Sequence, residues 1–228
     1  PVSITNAHDF TIRDITILDP SAWTVNLYKC KNAVIDNVKI IGARSNSDGI
    51  TMQNVENVLV QNCFVRSWDD NLVVKGYNGN VDGVTCRNCI LWTDLAQSCE
   101  IGYETRAQFI RNITFEDITV LHSFHKPVIS VHNGDDAVVE DITFRNIVVE
   151  HEEVGSGDAE EMPYLIDLNI MQNSNWSTTA ERGQIRNIVL ENVNFLGRAY
   201  TILHDWRIIA LFLATNQGNQ RAYERDTS

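Results

Sequence analysis

The amino-acid sequence predicts an all-β protein, a parallel β-solenoid of about seven to eight coils. Three observations predict this fold class: an apolar repeat through most of the chain, a coil-like spacing between its copies, and little helical periodicity. The 228 residues are 43% hydrophobic and include only 4 prolines, which suits one β domain with a buried core. We expect the solenoid to span residues 1–207, either whole or as a fragment lacking N-terminal coils and a cap. Residues 208–228 are expected to form a C-terminal tail or cap.

One phrase, apolar-x-apolar-x-(Asn/Asp)-apolar-x-apolar, returns seven times. Positions −4, −2, +1 and +3 from its central polar residue are apolar in every copy, which is 28 of 28 positions against the 43% expected from composition. The central residues are Asp14, Asn37, Asn62, Asn88, Asp117, Asn146 and Asn192. Agreement of this strength indicates a structural repeat.

The phase of the repeat predicts the shape of each coil. Apolar alternation before the centre is typical of a half-buried strand, and the alternation slips by one residue at the Asn or Asp. These residues tolerate left-handed backbone, so a bend there lets two short strands point into one core. The centres are 23, 25, 26, 29, 29 and 46 residues apart. Each repeat is therefore predicted to be one coil, stacked about 4.8 Å from the next.

A second strand is predicted in each coil, at residues 23–27, 48–52, 70–75, 100–104, 129–133 and 165–169. The 46-residue interval predicts one coil with two long loops, 150–163 and 172–184, around the last of these strands. An extra coil centred on Asp167 fits the arithmetic, but it would place Pro163 at an inward strand position. Loops beside one strand stack predict a cleft on that side.

Charge and composition exclude several function classes. The formal net charge of −12 argues against a nucleic-acid partner, whose phosphates need a surface rich in Lys and Arg. No apolar run approaches the roughly 18 residues that span a bilayer, so no membrane partner is expected. We expect a secreted or periplasmic protein whose signal peptide is absent from this sequence.

The five cysteines do not describe a disulfide scaffold or a zinc site. Their number is odd, and no second pair follows Cys86-x-x-Cys89 at ligand spacing. Cys63, Cys86 and Cys89 fall on inward positions of the repeat, which predicts that they are small buried hydrophobes. We expect no metal and no cofactor.

Three carboxylates on the second strand stack point to acid–base chemistry. Asp48 precedes Asp69 and Asp70 by 21 and 22 residues, close to one coil, so the three are predicted to meet on adjacent rungs. Like charges at close range raise one another's pKa, which keeps a proton available near neutral pH. Glycosidic cleavage needs such an acid beside an ionised carboxylate, and a gap of roughly 6.5–9.5 Å between them is the inverting geometry. Spacing alone equally fits acidic residues in solvated turns or at a calcium site.

The motif Asn46-Ser47-Asp48-Gly49-Ile50, followed by Asp69-Asp70 and Lys75, resembles the Asn-Thr-Asp and Asp-Asp motifs of the polygalacturonases of glycoside hydrolase family 28. Those enzymes are right-handed, single-stranded parallel β-helices of the pectin-lyase-like type, and they cleave with inversion. The resemblance implies Asp69 as the general acid, with Asp48 and Asp70 activating the water. It also implies a polysaccharide or oligosaccharide substrate.

The departures from that family favour a less charged substrate. Gln97 falls where polygalacturonases carry the His of Gly-His-Gly, and Ser130-Val131-His132 aligns with their Arg-Ile-Lys, which grips the substrate carboxylate. Local similarity to the related dextranase and isopullulanase family extends from Ile90 to His122. We therefore expect a neutral or weakly charged glycan rather than polygalacturonate.

Other residues on the predicted cleft are weaker candidates for substrate contacts. Trp68 and Tyr103 suit stacking on sugar faces or packing between loops, whereas Trp23 and Trp92 are interpreted as structural. For Glu100, Glu104 and Arg106 a surface ion pair is favoured over a subsite. The full set of predicted substrate-binding residues is Asn46, Trp68, Lys75, Gln97, Glu100, Tyr103, Glu104, His125, Lys126 and His132.

Two alternatives to an inverting hydrolase stay open at this point. A lyase or epimerase also suits a β-helix, but its chemistry calls for calcium or a base beside cationic groups, which the cleft strands offer sparsely. A non-catalytic carbohydrate-binding solenoid fits the missing His and basic pair. The sequence does not identify the sugar, the linkage, endo or exo action, or the oligomeric state.

Overall fold

The computed structural model describes residues 1–153 and 164–196 and the strands at 200–203, 208–213 and 222–223. All secondary structure in these residues is β, which confirms the predicted class. No helix capable of crossing a bilayer occurs among them. In chain order the strands are β1 Val2–Thr5, β2 His8–Arg13, β3 Thr16–Leu18, β4 Val25–Tyr28, β5 Lys31–Asp36, β6 Lys39–Ile41, β7 Ile50–Gln53, β8 Glu56–Gln61, β9 Phe64–Ser67, β10 Leu72–Tyr77, β11 Val81–Thr93, β12 Cys99–Arg106, β13 Phe109–Phe124, β14 Ile129–Asn133, β15 Val138–Val149, β16 Glu152–Glu153, β17 Tyr164–Ile170, β18 Gln184–Phe195, β19 Tyr200–Leu203, β20 Ile208–Leu213 and β21 Ala222–Tyr223.

In the described part of the chain the strands form two long parallel sheets, one strand of each per coil. Sheet A has nine strands in the order β1-β4-β7-β10-β12-β14-β17-β19-β21. Sheet B follows β2-β5-β8-β11-β13-β15-β18-β20, with β3, β6, β9 and β16 paired alongside. Each coil thus returns in parallel onto the one before it, and crossovers of this kind are right-handed. The predicted right-handed parallel β-helix is confirmed.

The bend at each central Asn or Asp has the left-handed backbone that the repeat predicts. All seven centres have positive φ, from 50° at Asn88 to 57° at Asp14. Their side chains also bond between coils: Asn88 Nδ2 donates to Asn62 Oδ1 at 2.6 Å, and Asn146 Nδ2 donates to Asp117 Oδ1 at 2.9 Å. The left-handed backbone of the central residue therefore makes the bend, and its side chain bonds the bend to the neighbouring coil.

A second column of left-handed residues lies five positions before each centre, and sequence analysis missed it. Its members are Asp9, Asn32, Asn57, Gly83, Asn112, Asp141 and Asn187, all with positive φ. Asn57 Nδ2 donates to Asn32 Oδ1 at 2.9 Å, and Asn32 Nδ2 donates to Asp9 Oδ1 at 2.8 Å. The regular Asn/Asp/Gly spacing was a readable signal for this second bend.

The core between the sheets is built from the predicted inward positions. In the second to sixth coils all of these positions are buried, including the stacked rings of Phe115 and Phe144, whose centroids are 5.2 Å apart. The end coils are less covered, and Ile15 in the first coil is 36% exposed. All five cysteines are buried and free, which confirms the interpretation of Cys63, Cys86 and Cys89 as small buried hydrophobes.

The long interval before the last centre is one coil. Sheet B passes directly from β15 to β18, with Ile147 opposite Val193, so no extra coil is inserted. The second strand of this coil is β17, which pairs with β14. Residues 154–163, most of the first predicted loop, lie outside the described residues. Strand β20, in the segment expected to be a tail or cap, pairs in parallel with β18, and the division at residue 207 stays a prediction.

Three sheet A strands begin two residues later than predicted. They start at Val25, Ile50 and Leu72, so Asp48 and Asp70 lie in the turns that lead into β7 and β10. Hydrogen bonding between the coils nevertheless reaches these turns, since Gly49 N donates to Asp70 O at 2.7 Å. The backbone of the aspartates is thus held in register at the edge of sheet A. Their side chains are not bound by the alternation between two faces that applies within a strand.

We expect Asn146→Ala to destabilise the protein by about 1–2 kcal/mol, because alanine strains at positive φ and loses the amide bonds to both neighbouring coils. Asn146→Gly removes the same side chain without the backbone strain, so it should cost less. Urea unfolding of both variants measures the difference. Equal destabilisation by the two substitutions would show that the left-handed backbone carries no part of the effect.

Candidate functional site

Asp48, Asp70 and Gln97 form a row at the edge of sheet A where its strands begin. Ile50 is opposite Leu72, and Leu72 is opposite Cys99, so the residues two positions earlier also stand side by side on successive coils. Neighbouring strands are about 4.8 Å apart. The structure therefore brings Asp48 and Asp70 onto adjacent rungs, with Asp69 beside them.

Hydroxyl and amide side chains hold the turn that carries Asp69 and Asp70. Ser67 Oγ donates to Asp69 O at 2.7 Å, and Asn71 Nδ2 donates to Ser67 Oγ at 2.6 Å and to Trp92 O at 2.9 Å. One coil earlier Gly49 is required, because a Cβ there would overlap Val65 and the carbonyl oxygen of Asn71. The glycine of the Asn-Ser-Asp-Gly motif thus permits the close approach of the two turns.

Burial raises the pKa of all three aspartates. Asp48 is 2% exposed; burial and the charge of Asp69 raise its pKa to about 7. Burial also raises the pKa of Asp69, against a bond of 3.1 Å that its Oδ1 accepts from Asp70 N. The pKa of Asp70 lies well above its usual value, because the group is buried beside the charges of Asp48 and Glu100. The site therefore retains protons on carboxyl groups near neutral pH.

Lys75 is the cation that faces these aspartates, and Glu104 neutralises it. Its Nζ lies 2.9 Å from Glu104 Oε2, and Lys75 is buried while Glu104 is half-buried. Burial alone would lower the pKa of Lys75, but the charges of Glu104, Asp70 and Asp48 outweigh burial and raise it. The Nζ also lies 5.0 Å from the ring centroid of Trp23. Trp23, interpreted from sequence as structural, thus lies beside the site.

A second ion cluster is buried further along sheet A. His132 is 2% exposed, with its Nδ1 2.9 Å from Glu100 Oε1 and its Nε2 3.0 Å from Asp167 Oδ2. Burial disfavours the imidazolium, but the charges and hydrogen bonds of the two carboxylates raise the pKa of His132 to about 10. Both ring N–H groups therefore donate to carboxylates, and none is left for a substrate.

The ring of Tyr103 covers His132. The two rings are nearly parallel, with their centroids 4.4 Å apart. Burial raises the pKa of Tyr103, and the side chain of Gln97 opposes that rise. Gly102 allows this packing, since its φ is +121° and a Cβ would overlap the carbonyl oxygen of His132. Gln97 N in turn donates to Asp70 Oδ1 at 3.2 Å, which links the aromatic stack to the aspartate row.

The remaining predicted residues lie around this centre. Asn46 is exposed in the turn before Asp48, and Trp68 is half-buried next to Asp69. His125 and Lys126 lie in the turn that leads into β14, where Lys126 O accepts a bond of 3.2 Å from Ser123 Oγ. Their contacts with substrate stay predictions.

Sequence analysis missed Asp167 as a site residue and misassigned Arg106. Glu100 is opposite Ser130 in the sheet, and Ser130 is opposite Asp167 on the next coil. This alignment of the three strands was the signal that could have identified Asp167. The ion pair expected at Glu100, Glu104 and Arg106 is wrong for Arg106. Glu100 pairs with His132 on the following coil and Glu104 with Lys75 on the preceding coil. No group of three or more His, Cys, Asp or Glu in the described residues is arranged to hold a metal.

We expect Asp48→Asn to stabilise the protein at pH 8 by about 2–4 kcal/mol and to have little effect at pH 4. The folded pKa of Asp48, about 7, exceeds the unfolded one, so folding favours the protonated acid and stability falls as pH rises between the two values. Thermal unfolding at both pH values measures this.

The control is Asp82→Asn on sheet B, where hydrogen bonds from Arg111 and Asn112 lower the pKa. Its ionised form favours folding, so this variant should lose stability at neutral pH and lose less at low pH. A stabilisation by Asp48→Asn that is the same at pH 4 and pH 8 would contradict the raised pKa.

Comparison with known proteins supports what the geometry indicates. A protein of Aspergillus oryzae named "Probable rhamnogalacturonase A" is 26% identical over 187 residues, which is 81% of this chain and 36% of that protein. Rhamnogalacturonase B of Aspergillus niger is 25% identical over 187 residues, again 81% of this chain and 30% of the relative. The chain spans about a third of the length of these curated relatives.

Two solved structures share the fold. The exopolygalacturonase of Thermotoga maritima aligns with a TM-score of 0.52 at 13% identity, over 89% of this chain and 52% of that chain. The family 28 exopolygalacturonase of Yersinia enterocolitica aligns with a TM-score of 0.54 at 13% identity, over 94% of this chain and 45% of its own. Residues 1–201 match the glycosyl hydrolases family 28. With that match, the β-helix and the row of aspartates on it identify the chain as a member of glycosyl hydrolase family 28.

Proposed function

We propose that this chain carries the catalytic segment of an inverting glycoside hydrolase that cleaves a pectin-type polysaccharide. The observation that carries the proposal is the set of three aspartates, the buried Asp48 and Asp70 and the half-buried Asp69, on adjacent rungs of a family 28 β-helix. Their raised pKa values supply an acid and a base in one place near neutral pH.

Asp69 is the group best placed to act as the general acid. It is the most accessible of the three aspartates, and its raised pKa keeps a proton available. In the reaction this proton passes to the glycosidic oxygen as the bond from that oxygen to the anomeric carbon breaks. The leaving sugar then departs as a neutral alcohol.

Asp48 and Asp70 act on the water. Because they stand on adjacent rungs, the second of them to ionise does so against the charge of the first, and one proton is shared between the pair. The ionised member accepts a proton from water while the water oxygen bonds to the anomeric carbon from the opposite face. Lys75 offsets part of the negative charge that this leaves on the pair. The product is a sugar of inverted configuration.

The sugar beside the aspartates is proposed to be neutral or weakly charged. Glu104 already pairs with Lys75, and Glu100 and Asp167 already pair with His132, so neither cation has a free charge for a substrate carboxylate. The similar Aspergillus proteins are named for rhamnogalacturonan, which contains the neutral sugar rhamnose as well as galacturonic acid. A substrate of this kind is consistent with both facts. Secretion or periplasmic export belongs to the same proposal.

We expect Asp69→Asn to lower hydrolysis about 10²- to 10⁴-fold, because the amide has no proton to give the leaving group. The assay counts new reducing ends from rhamnogalacturonan and a panel of neutral and acidic polysaccharides, and NMR follows the anomer first formed. Asp36→Asn, the same change on sheet B, is the matched control and should keep full activity.

Full activity in Asp69→Asn would refute the role of that residue. Tight glycan binding by the unsubstituted protein without hydrolysis between pH 4 and 8 would indicate a non-catalytic binding solenoid. An unsaturated uronate in the product would indicate a lyase.

We expect Glu104→Gln to lower KM for oligogalacturonides severalfold and to leave KM for neutral substrates nearly unchanged. The substitution removes the partner of Lys75 and so leaves a cation available to a carboxylate. Glu116→Gln is the control, since Glu116 pairs with Arg145 on sheet B in the same way. An unchanged preference in Glu104→Gln would show that Lys75 does not govern the charge of the bound sugar.

A further inference from the structure

Beyond Lys75 and Glu104, the outer face of sheet A presents an aromatic ring and a guanidinium group. Tyr77 and Arg106 lie two positions further along the same strands, β10 and β12, and stand opposite each other in the sheet. The side chain of Tyr77 is 45% exposed. The guanidinium carbon of Arg106 lies 5.0 Å from the Tyr77 ring centroid, in a cation–π contact.

Arg106 differs from the other cations of this face because no carboxylate neutralises it. Lys75 and His132 each form ion pairs of 2.9 Å, whereas no Asp or Glu among the described residues lies within 4.0 Å of the Arg106 guanidinium. Its Nη1 donates to the hydroxyl of Thr178, and its Nε is buried without a hydrogen-bond partner in the described structure. A guanidinium has five N–H donors in a planar fork, so this one retains unused capacity for an anion.

The loop that contacts Arg106 is firmly held. The carboxylate of Asp135 accepts bonds from the amides of Thr178 and Thr179 at 2.7 and 2.9 Å, and from the Thr179 hydroxyl at 3.0 Å. These donors outweigh the effect of burial and lower the pKa of Asp135, so its charge is already satisfied within the loop. Arg182 adds bonds to the carbonyl oxygens of Gly134 and Thr179.

The loop that contacts Arg106 through Thr178 also carries a second exposed aromatic side chain. Trp176 is 49% exposed and precedes Thr178 by two residues. The amides of Asn175 and Trp176 donate to Asn173 Oδ1 at 2.8 and 3.2 Å, which fixes the turn. An exposed indole on a fixed turn presents a flat apolar surface at little entropic cost, as sugar-binding surfaces require.

We propose that Arg106, together with Tyr77 and Trp176, forms a binding site for a uronic acid unit of the glycan. The guanidinium binds the carboxylate through the N–H groups of Nη1 and Nη2 that Thr178 does not engage, and the aromatic rings pack against the apolar face of the sugar. This inference rests on the proposed function and refines its substrate. The aspartate row receives a neutral unit and the Arg106 site receives a charged one, so the glycan combines both kinds of sugar.

The experiment compares binding of two ligands by calorimetry in the Asp69→Asn protein, so that no product forms. One ligand is a rhamnogalacturonan oligosaccharide, and the other is the same oligosaccharide with its carboxyl groups reduced to alcohols. We expect Arg106→Gln to weaken binding of the first about tenfold or more, because a charge-assisted pair is lost, and to leave binding of the second unchanged. Arg106→Lys should fall between, since it keeps the charge but loses the fork.

Arg111→Gln is the matched control. Arg111 also stacks on an aromatic ring, with its Cζ 4.1 Å from the Phe109 centroid, but it is paired with Asp82 on sheet B. Its loss should leave binding of both ligands unchanged. Trp176→Ala should weaken both ligands, and no effect there would remove Trp176 from the site.

Equal binding of native and reduced oligosaccharide, or native binding that Arg106→Gln leaves intact, would overturn the inference. The proposed function fails separately, when the protein with all three aspartates produces no new reducing ends from any polysaccharide. Binding that depends on Arg106 in such a protein would leave the uronate site standing. Circular dichroism and melting temperature of each variant confirm that it is folded.

Discussion

The bend at each central Asn or Asp is the constraint on which the rest of the structure depends. A left-handed residue at this point turns the chain so that strands on both sides face one core, and its side chain, an amide or a carboxylate, bonds to the neighbouring coil. The bend therefore fixes the shape of one coil and its register on the neighbouring coil together. Apolar side chains stacked between the sheets supply most of the stabilisation, but one apolar residue can replace another of similar size. At the bends only a residue that tolerates left-handed backbone is suitable.

The register between neighbouring coils brings residues that are about one coil apart in sequence into one site. Once the coils are locked, Asp48 and Asp70 must stand on adjacent rungs, about one strand separation apart, whatever their mutual repulsion. The stacked coils hold the pair together and bury it, and this burial raises the carboxyl pKa values. Packing of the core thus stabilises the fold enough to hold an unfavourable cluster of buried carboxyl groups at the sheet edge. Proteins commonly hold acid–base sites in this way.

Charge is distributed unevenly over the outer face of sheet A. Close to the aspartates Lys75 and His132 are each paired with a carboxylate, so neither has a free charge to attract a second anion. Further along the same strands Arg106 stacks on Tyr77 and has no carboxylate within ion-pair distance in the described part of the chain. One sheet thus carries both the proposed proton-transfer region and the proposed uronate site, because side chains two positions apart on a strand share a face.

The sequence by itself determined the parallel β-helix, the central bend of each coil, the burial of Cys63, Cys86 and Cys89 and the proximity of Asp48 to Asp69 and Asp70. All of these follow from a repeat of period two interrupted by Asn or Asp, which is a local pattern that stacking then copies from coil to coil. Only the tertiary structure decided which charges pair. An irregular register in β10 and β12 pairs Lys75 with Glu104 and leaves Arg106 without a carboxylate in the described ranges. A strand reached after a long insertion, β17, brings Asp167 to His132, which also pairs with Glu100. The period of the repeat predicts neither feature. Side-chain pairing across coils depends on small shifts of one strand along its neighbour, and hydrophobic alternation is the same with or without them.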